Sequence, residues 1–367
     1  MAEKLLVLQL SKLSNFIPDG GIWLNTQRPE WNDANNALVG YGVSMVTLYY
    51  LNRHISFINK VLASVNETEF EISSEVFDWF KEINETYQEY SPSVNERLDA
   101  FERKTFVQEL QKVFSNYRQK TYNKGSGGKK KIKVINIINF NNLVLAHFKN
   151  SINNNYKKSL YSAYNTINID SSNEIKVTSM YSMLEGQVSA LSSGKVEPKN
   201  AVKVLNALFE SGMYQKEQNS FMLYPKKDLK RFLEKNIIPE EIVNECNLFK
   251  TLIKRNNKDI IYKDSLGKYR FNDSLINSNY LKTELNKLSN NEELRQLIND
   301  EENKILHHYI TVFDHQNYTG RSGTMYAYEG IGSIYWHMVS KLLLATQELY
   351  FKAIKINEDL DTLIELG

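Results

Sequence analysis

Residues 20–42 read GGIWLNTQRPEWNDANNALVGYG. Two carboxylates, Glu30 and Asp33, flank Trp31 and Asn32; Trp23 and Arg28 stand before them, and Asn35 and Asn36 follow. A buried helix would repeat apolar residues at helical spacing, and a surface loop has no use for two tryptophans. Indole rings beside carboxylates and amides suit a sugar: the ring stacks on the apolar face of a pyranose while the polar groups bond its hydroxyls. In that reading Glu30 either bonds a sugar hydroxyl or orients Arg28. The alternative is a polar loop in which Asp33 or Asn35 caps the apolar run that starts at Leu38, but capping leaves the tryptophans unexplained. Beyond the loop, Val39, Val43, Val46, Tyr50, Ile58, Val61 and Leu62 predict one long helix from Leu38 to about Val65.

The stretch Trp31-Asn32-Asp33-Ala34-Asn35-Asn36-Ala37-Leu38-Val39-Gly40 resembles the W-N-D-[GA]-x-N-x-V-G signature of the cellobiose and chitobiose phosphorylases, glycoside hydrolase family 94. The resemblance implies that Asp33 is the general acid that protonates the glycosidic oxygen, with no cofactor beyond inorganic phosphate as co-substrate in a phosphorylase. It also implies an (α/α)6 barrel of the six-hairpin glycosidase type, either complete or only its C-terminal catalytic portion. In the family this motif lies deep inside a longer chain, so a missing N-terminal domain or a homo-oligomer partner is expected.

A second block, His315 to Trp336, is dense in hydroxyls and glycines. Tyr318, Tyr326 and Tyr328 can stack on or bond sugars, and His315, Arg321 and Thr324 add polar contacts. The bland reading is an aromatic-rich loop entering the last helix, with Trp336 and His337 in the core. The phosphorylases carry Y-T-G-S-A-G-W-M-Y before their last barrel helix, and Tyr328-Glu329-Gly330-Ile331-Gly332-Ser333-Ile334-Tyr335 is similar to it. There the family's threonine helps bind phosphate; here the position is Glu329. A carboxylate repels a phosphate dianion and can deprotonate water. The expectation is therefore an inverting hydrolase of a β-linked glucan or oligosaccharide, with Asp33 as acid and Glu329 as base. Two alternatives stand beside it: an inverting phosphorylase releasing sugar 1-phosphate, and a non-catalytic carbohydrate-binding module. A third cluster, around Tyr214 and Gln218, reads equally as a subsite or as a connecting loop.

The rest of the chain bounds these readings. Forty-two per cent of the 367 residues are hydrophobic, which is globular composition. Lysine plus arginine number 45 against 43 acids, so no global field attracts nucleic acid or a membrane surface. The local exception, Lys124 to Lys133, reads as a solvated Gly/Ser/Lys loop. Cys246 stands alone, which excludes an internal disulfide or a cysteine zinc site. His307 and His308 read as solvent-facing, and no metal site is expected. No apolar run reaches membrane-span length, and a cytoplasmic location is expected. Helical spacing recurs over 3–15, 73–91, 96–118, 133–165, 178–191, 198–210, 226–235, 239–254 and 280–309, with a final buried helix over Gly330–Leu349. Asp259–Phe271 alternates as a hairpin turning at Gly267. The sum predicts an all-α fold: one helical barrel over 1–367, with an inserted or divergent region at about 120–290.

Overall fold

The computed structural model describes residues 1–26, 38–91, 98–125, 127–168, 173–225, 234–313, 334 and 336–367. It forms two compact units. One is built from residues 1–226 and 330–367, the other from 227–329.

The first unit begins with α1 (Ala2–Leu13), then β1 (Phe16–Ile17), β2 (Gly21–Trp23) and β3 (Gly42–Ser44), which leads straight into α2 (Met45–Ser64). Next come β4 (Glu69–Ser73), α3 (Ser74–Glu89), α4 (Ala100–Lys124), β5 (Lys129–Lys133) and α5 (Val134–Asn154). Short strands β6 (Tyr156–Lys157), β7 (Leu160–Tyr161), β8 (Tyr164–Asn168) and β9 (Lys176–Ser179) precede α6 (Leu184–Leu191) and α7 (Pro198–Glu210). Strands β10 (Tyr214–Gln215) and β11 (Ser220–Phe221) form a hairpin.

The all-α expectation is overturned. Strands β1, β2, β3, β8 and β9 form one antiparallel sheet in that order, and among the described residues four two-stranded ribbons accompany the helices. The expected helix from Leu38 starts late: residues 42–44 pair with Trp23 and Ile22 on one side and with Asn165 on the other. Ser44 then caps α2, accepting from the Thr47 N–H at 3.0 Å. Gly40, at φ 91°, has a backbone that an α-helix excludes. The lysine-rich stretch is not a solvated loop either. As β5 it pairs with β4, placing Lys133 opposite Glu69 and Lys131 opposite Glu71. Cross-strand charge complementarity accounts for the lysine run, and Lys130 adds a pair with Asp78 at 2.6 Å.

The core of this unit is aromatic. Phe16 lies among Tyr87, Phe106, His147 and Phe148. Trp79 of α3 stacks on Tyr117 of α4 with ring centroids 4.1 Å apart. All eight residues of α6 are buried. Close packing there depends on Gly186, where a Cβ would stand 2.9 Å from the backbone nitrogen of Ala163. Gln187 replaces a neighbouring strand: its amide accepts from the Tyr161 N–H at 2.8 Å and donates to the Tyr161 carbonyl at 2.7 Å.

The second unit contains α8 (Glu240–Glu245), α9 (Asn247–Lys254), the hairpin β12 (Ile261–Lys263) and β13 (Tyr269–Phe271), α10 (Ser278–Leu288) and α11 (Glu292–Phe313). The hairpin turns at Gly267, as its sequence predicts. Its own core gathers Phe249, Phe271, Leu281, Leu285, Ile305 and Tyr309. Cys246 is buried there and donates to Glu301 at 3.2 Å; burial pushes its thiol up to about 12. His307 is exposed and His308 half-buried.

The chain returns to the first unit as α12 (Trp336–Lys355) and closes with α13 (Leu360–Leu366). Trp336 is 64% exposed, and His337 is exposed too, so neither is the core residue that the sequence suggested. The buried stripe of α12 is Leu342, Ala345, Leu349 and Ala353. No described helix is long and apolar enough to cross a membrane.

Candidate functional site

Of the candidate site, the structure describes the stem of the β2–β3 hairpin, which carries Trp23. The chain enters it through Pro18-Asp19-Gly20-Gly21. Gly21 has φ 123°, and a Cβ there would meet the Ser44 carbonyl at 2.6 Å, so only glycine fits. Strand β2 pairs with β3, and the stem continues past both strands. The Leu24 N–H donates to the Gly42 carbonyl at 2.9 Å, and the Gly40 N–H donates to the Leu24 carbonyl at 2.7 Å. Trp23 is half-buried on this stem and its indole N–H donates to the Gly40 carbonyl at 3.0 Å. The Asn25 amide donates to Asn15 Oδ1 at 2.6 Å. The hydrogen-bonded ladder thus extends from Gly21 to Leu24 on one side and from Gly40 to Ser44 on the other.

Beneath the stem lies a buried polar network. Asp19 and Arg103 form an ion pair at 2.8 Å, with side chains only 5% and 7% exposed. Asn154 donates to the other Asp19 carboxyl oxygen at 2.6 Å. The Asp19 N–H donates to Ser151 Oγ at 3.0 Å, and the Asp19 carbonyl accepts from Asn155 at 2.7 Å. Asn165 of β8 donates to the Gly20 carbonyl and to Asn155 Oδ1, both at 2.8 Å. The Arg103 guanidinium also donates to the carbonyls of Pro18 and Ile175 at 2.9 Å and of Leu98 at 3.1 Å. Sequence reading passed over this network. Its one signal is Arg103 itself, which falls on the stripe of α4 that buries Phe106, Val107 and Leu110. An arginine on an apolar helical face must find buried partners.

Glu185, in the first turn of α6, is likewise a carboxylate that sequence reading did not single out, and it is 5% exposed. Tyr50 of α2 feels it. Burial chiefly raises the Tyr50 phenol, Arg53 lowers it, and Glu185 and Glu348 raise it further. Arg53 and Glu348 meet in a two-pronged ion pair at 2.7 and 2.8 Å that ties α2 to α12.

Among the residues chosen from sequence, Trp23 stands on the hairpin stem. Tyr214 belongs to the β10–β11 hairpin, against Phe209 and Phe221 with ring centroids 5.0 and 5.5 Å away, and its hydroxyl donates to Asn219 at 2.9 Å. Gln218 is exposed in the turn of the same hairpin. Arg28, Glu30, Trp31, Asn32, Asp33, Asn35 and Asn36 lie outside the described residues, as do His315, Arg321, Thr324, Tyr326, Tyr328 and Glu329. Among the described residues no cluster of three or more histidines, cysteines or carboxylates could hold a metal.

Residues 229–316, roughly a quarter of the chain, match the family model described as GH149 phosphorylase insertion domain 2. The matched segment falls within the second compact unit apart from what lies outside the described residues. No curated protein matches the chain. GH149 is a different family from the family 94 that the W-N-D block resembles, and both descriptions name phosphorylases. Residues 229–316 are thus similar to an insertion domain described from glycoside phosphorylases.

Proposed function

We propose that this protein is an inverting glycoside phosphorylase acting on a β-linked oligosaccharide. The observation that carries the reading is the match of residues 229–316 to a phosphorylase insertion domain. It supports the phosphorolytic alternative over the hydrolytic reading first drawn from Glu329. The W-N-D block supports the same reading from the other end of the chain.

In this mechanism Asp33 holds a proton at neutral pH and delivers it to the glycosidic oxygen as the bond breaks. Phosphate attacks the anomeric carbon from the opposite face, so configuration inverts and no catalytic base is needed. Trp23 and Trp31 supply stacking surface, and Asn32, Asn35, Asn36 and Glu30 bond hydroxyls. With Glu329 at the family's threonine position, phosphate recognition falls to the cationic and N–H donors of the 315–332 block, Arg321 foremost, because its fork matches two phosphate oxygens.

The test is phosphate-dependent release of sugar 1-phosphate from a panel of β-linked glucose oligosaccharides of each linkage. The parent chain is expected to release it only with phosphate present, and Asp33→Asn is expected to abolish release while leaving sugar binding intact. Release of free reducing sugar that ignores phosphate and is lost in Glu329→Gln would return the hydrolytic reading.

A further inference from the structure

We propose that the outward face of α12 pairs with the same face of a second copy of this chain, making a two-fold homodimer.

Helix α12 has two apolar faces. Leu342, Ala345, Leu349 and Ala353 are buried within its own unit. Trp336, Ser340, Leu343, Gln347, Phe351 and Ile354 fall at i, i+4, i+7, i+11, i+15 and i+18, with Leu344 beside them. That spacing draws one straight stripe down an α-helix. All seven residues are exposed, Leu343 by 63% and Phe351 by 66%. A surface helix needs only one apolar face. The packed neighbours of α12 do not cover the second. α6 and α7 pack against this helix, α2 meets one flank at Glu348, and α13 meets the other at Tyr350. On α2, Tyr50 and Phe57 stand one turn to either side of Arg53, the partner of Glu348, and both are exposed.

Together Trp336, Leu343, Leu344, Phe351, Ile354, Tyr50 and Phe57 leave about 800 Å² uncovered, taking roughly 200 Å² for a fully exposed large side chain. The largest apolar patch on a monomeric protein is usually about 300–600 Å². A stable interface of standard size takes about 800 Å² from each partner. The pattern of the stripe fits a second copy in particular. A two-fold axis lays it against itself antiparallel, so residues near the middle meet their own copies. A charge there would face a like charge, and none of the residues of the stripe is charged. With the axis beside Leu344, Trp336 of each copy lies opposite Ile354 of the other. Lys341 and Glu348 border the stripe on one flank, and the same axis sets each across from the other, so opposite charges meet at the rim.

The experiment uses the full chain. Sedimentation velocity at about 1–50 μM protein is expected to give twice the 42.7 kDa mass of one chain, and the tryptophan-monitored urea midpoint is expected to rise with protein concentration. In Leu344→Glu/Phe351→Glu the mass should fall to that of a single chain, because the axis then gathers four carboxylates. Leu344→Cys gives a second reading that does not depend on the double variant folding. Beside the axis the new thiol meets its own copy, so oxidised glutathione should yield a disulfide-linked dimer. Leu266→Cys, on the exposed turn of the β12–β13 hairpin, is the control and should stay unlinked. Cys246 is buried and takes no part. A parent that sediments as one chain would leave the face to some other partner and overturn the proposal. So would a dimer that survives the double glutamate variant, or a Leu344→Cys chain that links no faster than Leu266→Cys.

Discussion

Gln187→Met tests how α6 is held against the β6–β7 hairpin. Lys158 and Ser159, both at positive φ, form the two-residue turn of that hairpin. Lys157 and Leu160 close the turn, so Tyr156 and Tyr161 are a non-hydrogen-bonded pair and the Tyr161 peptide groups point outward. Gln187, fully buried, satisfies both of them and also donates to the Met183 carbonyl at 3.1 Å. Methionine fills similar volume and satisfies none. Two stranded backbone groups at roughly 1–3 kcal/mol each, less about 1 kcal/mol regained from burying an apolar side chain, leave a loss of about 3 kcal/mol. The readout is clean because all four tryptophans, Trp23, Trp31, Trp79 and Trp336, belong to residues 1–226 and 330–367. Their fluorescence in a urea titration reports that unit alone. With a denaturant slope of about 3 kcal/mol/M, the midpoint should fall by about 1 M. Gln187→Glu is the companion. Protonated, it can still donate to the Tyr161 carbonyl; ionised, it faces carbonyl oxygens. Its folded pKa is raised, so its stability should be present below the free glutamate value and lost as pH rises through the folded one. A methionine variant whose midpoint moves by less than about 0.3 M would refute the claim that these two bonds hold α6 in place.

Three further outcomes are expected. His147 is buried among Phe16, Tyr87 and Phe106, and burial lowers it to about 4 despite a contact with the Tyr87 carbonyl; stability present above the unfolded value near 6.5 should be lost as pH falls from about 6.5 to about 4, amounting to about 3 kcal/mol, and His147→Phe should flatten that part of a pH series of urea midpoints. Gly21→Ala should destabilise the first unit by at least about 3 kcal/mol, since its Cβ would press on the Ser44 backbone from a left-handed position, and an unshifted tryptophan-monitored midpoint would count against the hairpin geometry. Arg321→Ala should raise KM for phosphate at least about tenfold while leaving KM for the oligosaccharide nearly unchanged, measured as sugar 1-phosphate release.

Much of the helical framework was open to sequence reading because amphipathic spacing is a local signal. Val76, Trp79, Phe80, Ile83 and Tyr87 recur at helical intervals, and all five are buried on α3. Residues 198–210 form α7 with the predicted bounds. The five-stranded sheet was hidden for the opposite reason. Gly21–Trp23 and Gly42–Ser44 are three residues each, too short to show alternation, and Val43 fits a helical stripe as well as a strand. The lysine run misled because a solvated loop and an edge strand facing acids have the same composition; Glu69 and Glu71, which decide between them, lie some sixty residues earlier. The W-N-D block stands out through its residue types, and it lies outside the described residues. The buried network beneath the hairpin stem did not stand out, since Asp19 and Arg103 are 84 positions apart and neither is unusual in its own neighbourhood.

The first unit is interrupted in sequence, and that bears on how the protein is made. A ribosome releases α6 and α7 before α12, which packs against both, has been made. About a hundred residues must be synthesised before α12 emerges, a wait of roughly 5–20 s at ordinary elongation rates. The intervening unit is contiguous and has its own core, so it can fold during that interval. The vulnerable species in the cell is then neither the unfolded chain nor the finished protein. It is a nascent form with one finished unit and the faces of α6 and α7 that meet α12 still uncovered, and chaperone dependence during synthesis should track the length of that delay.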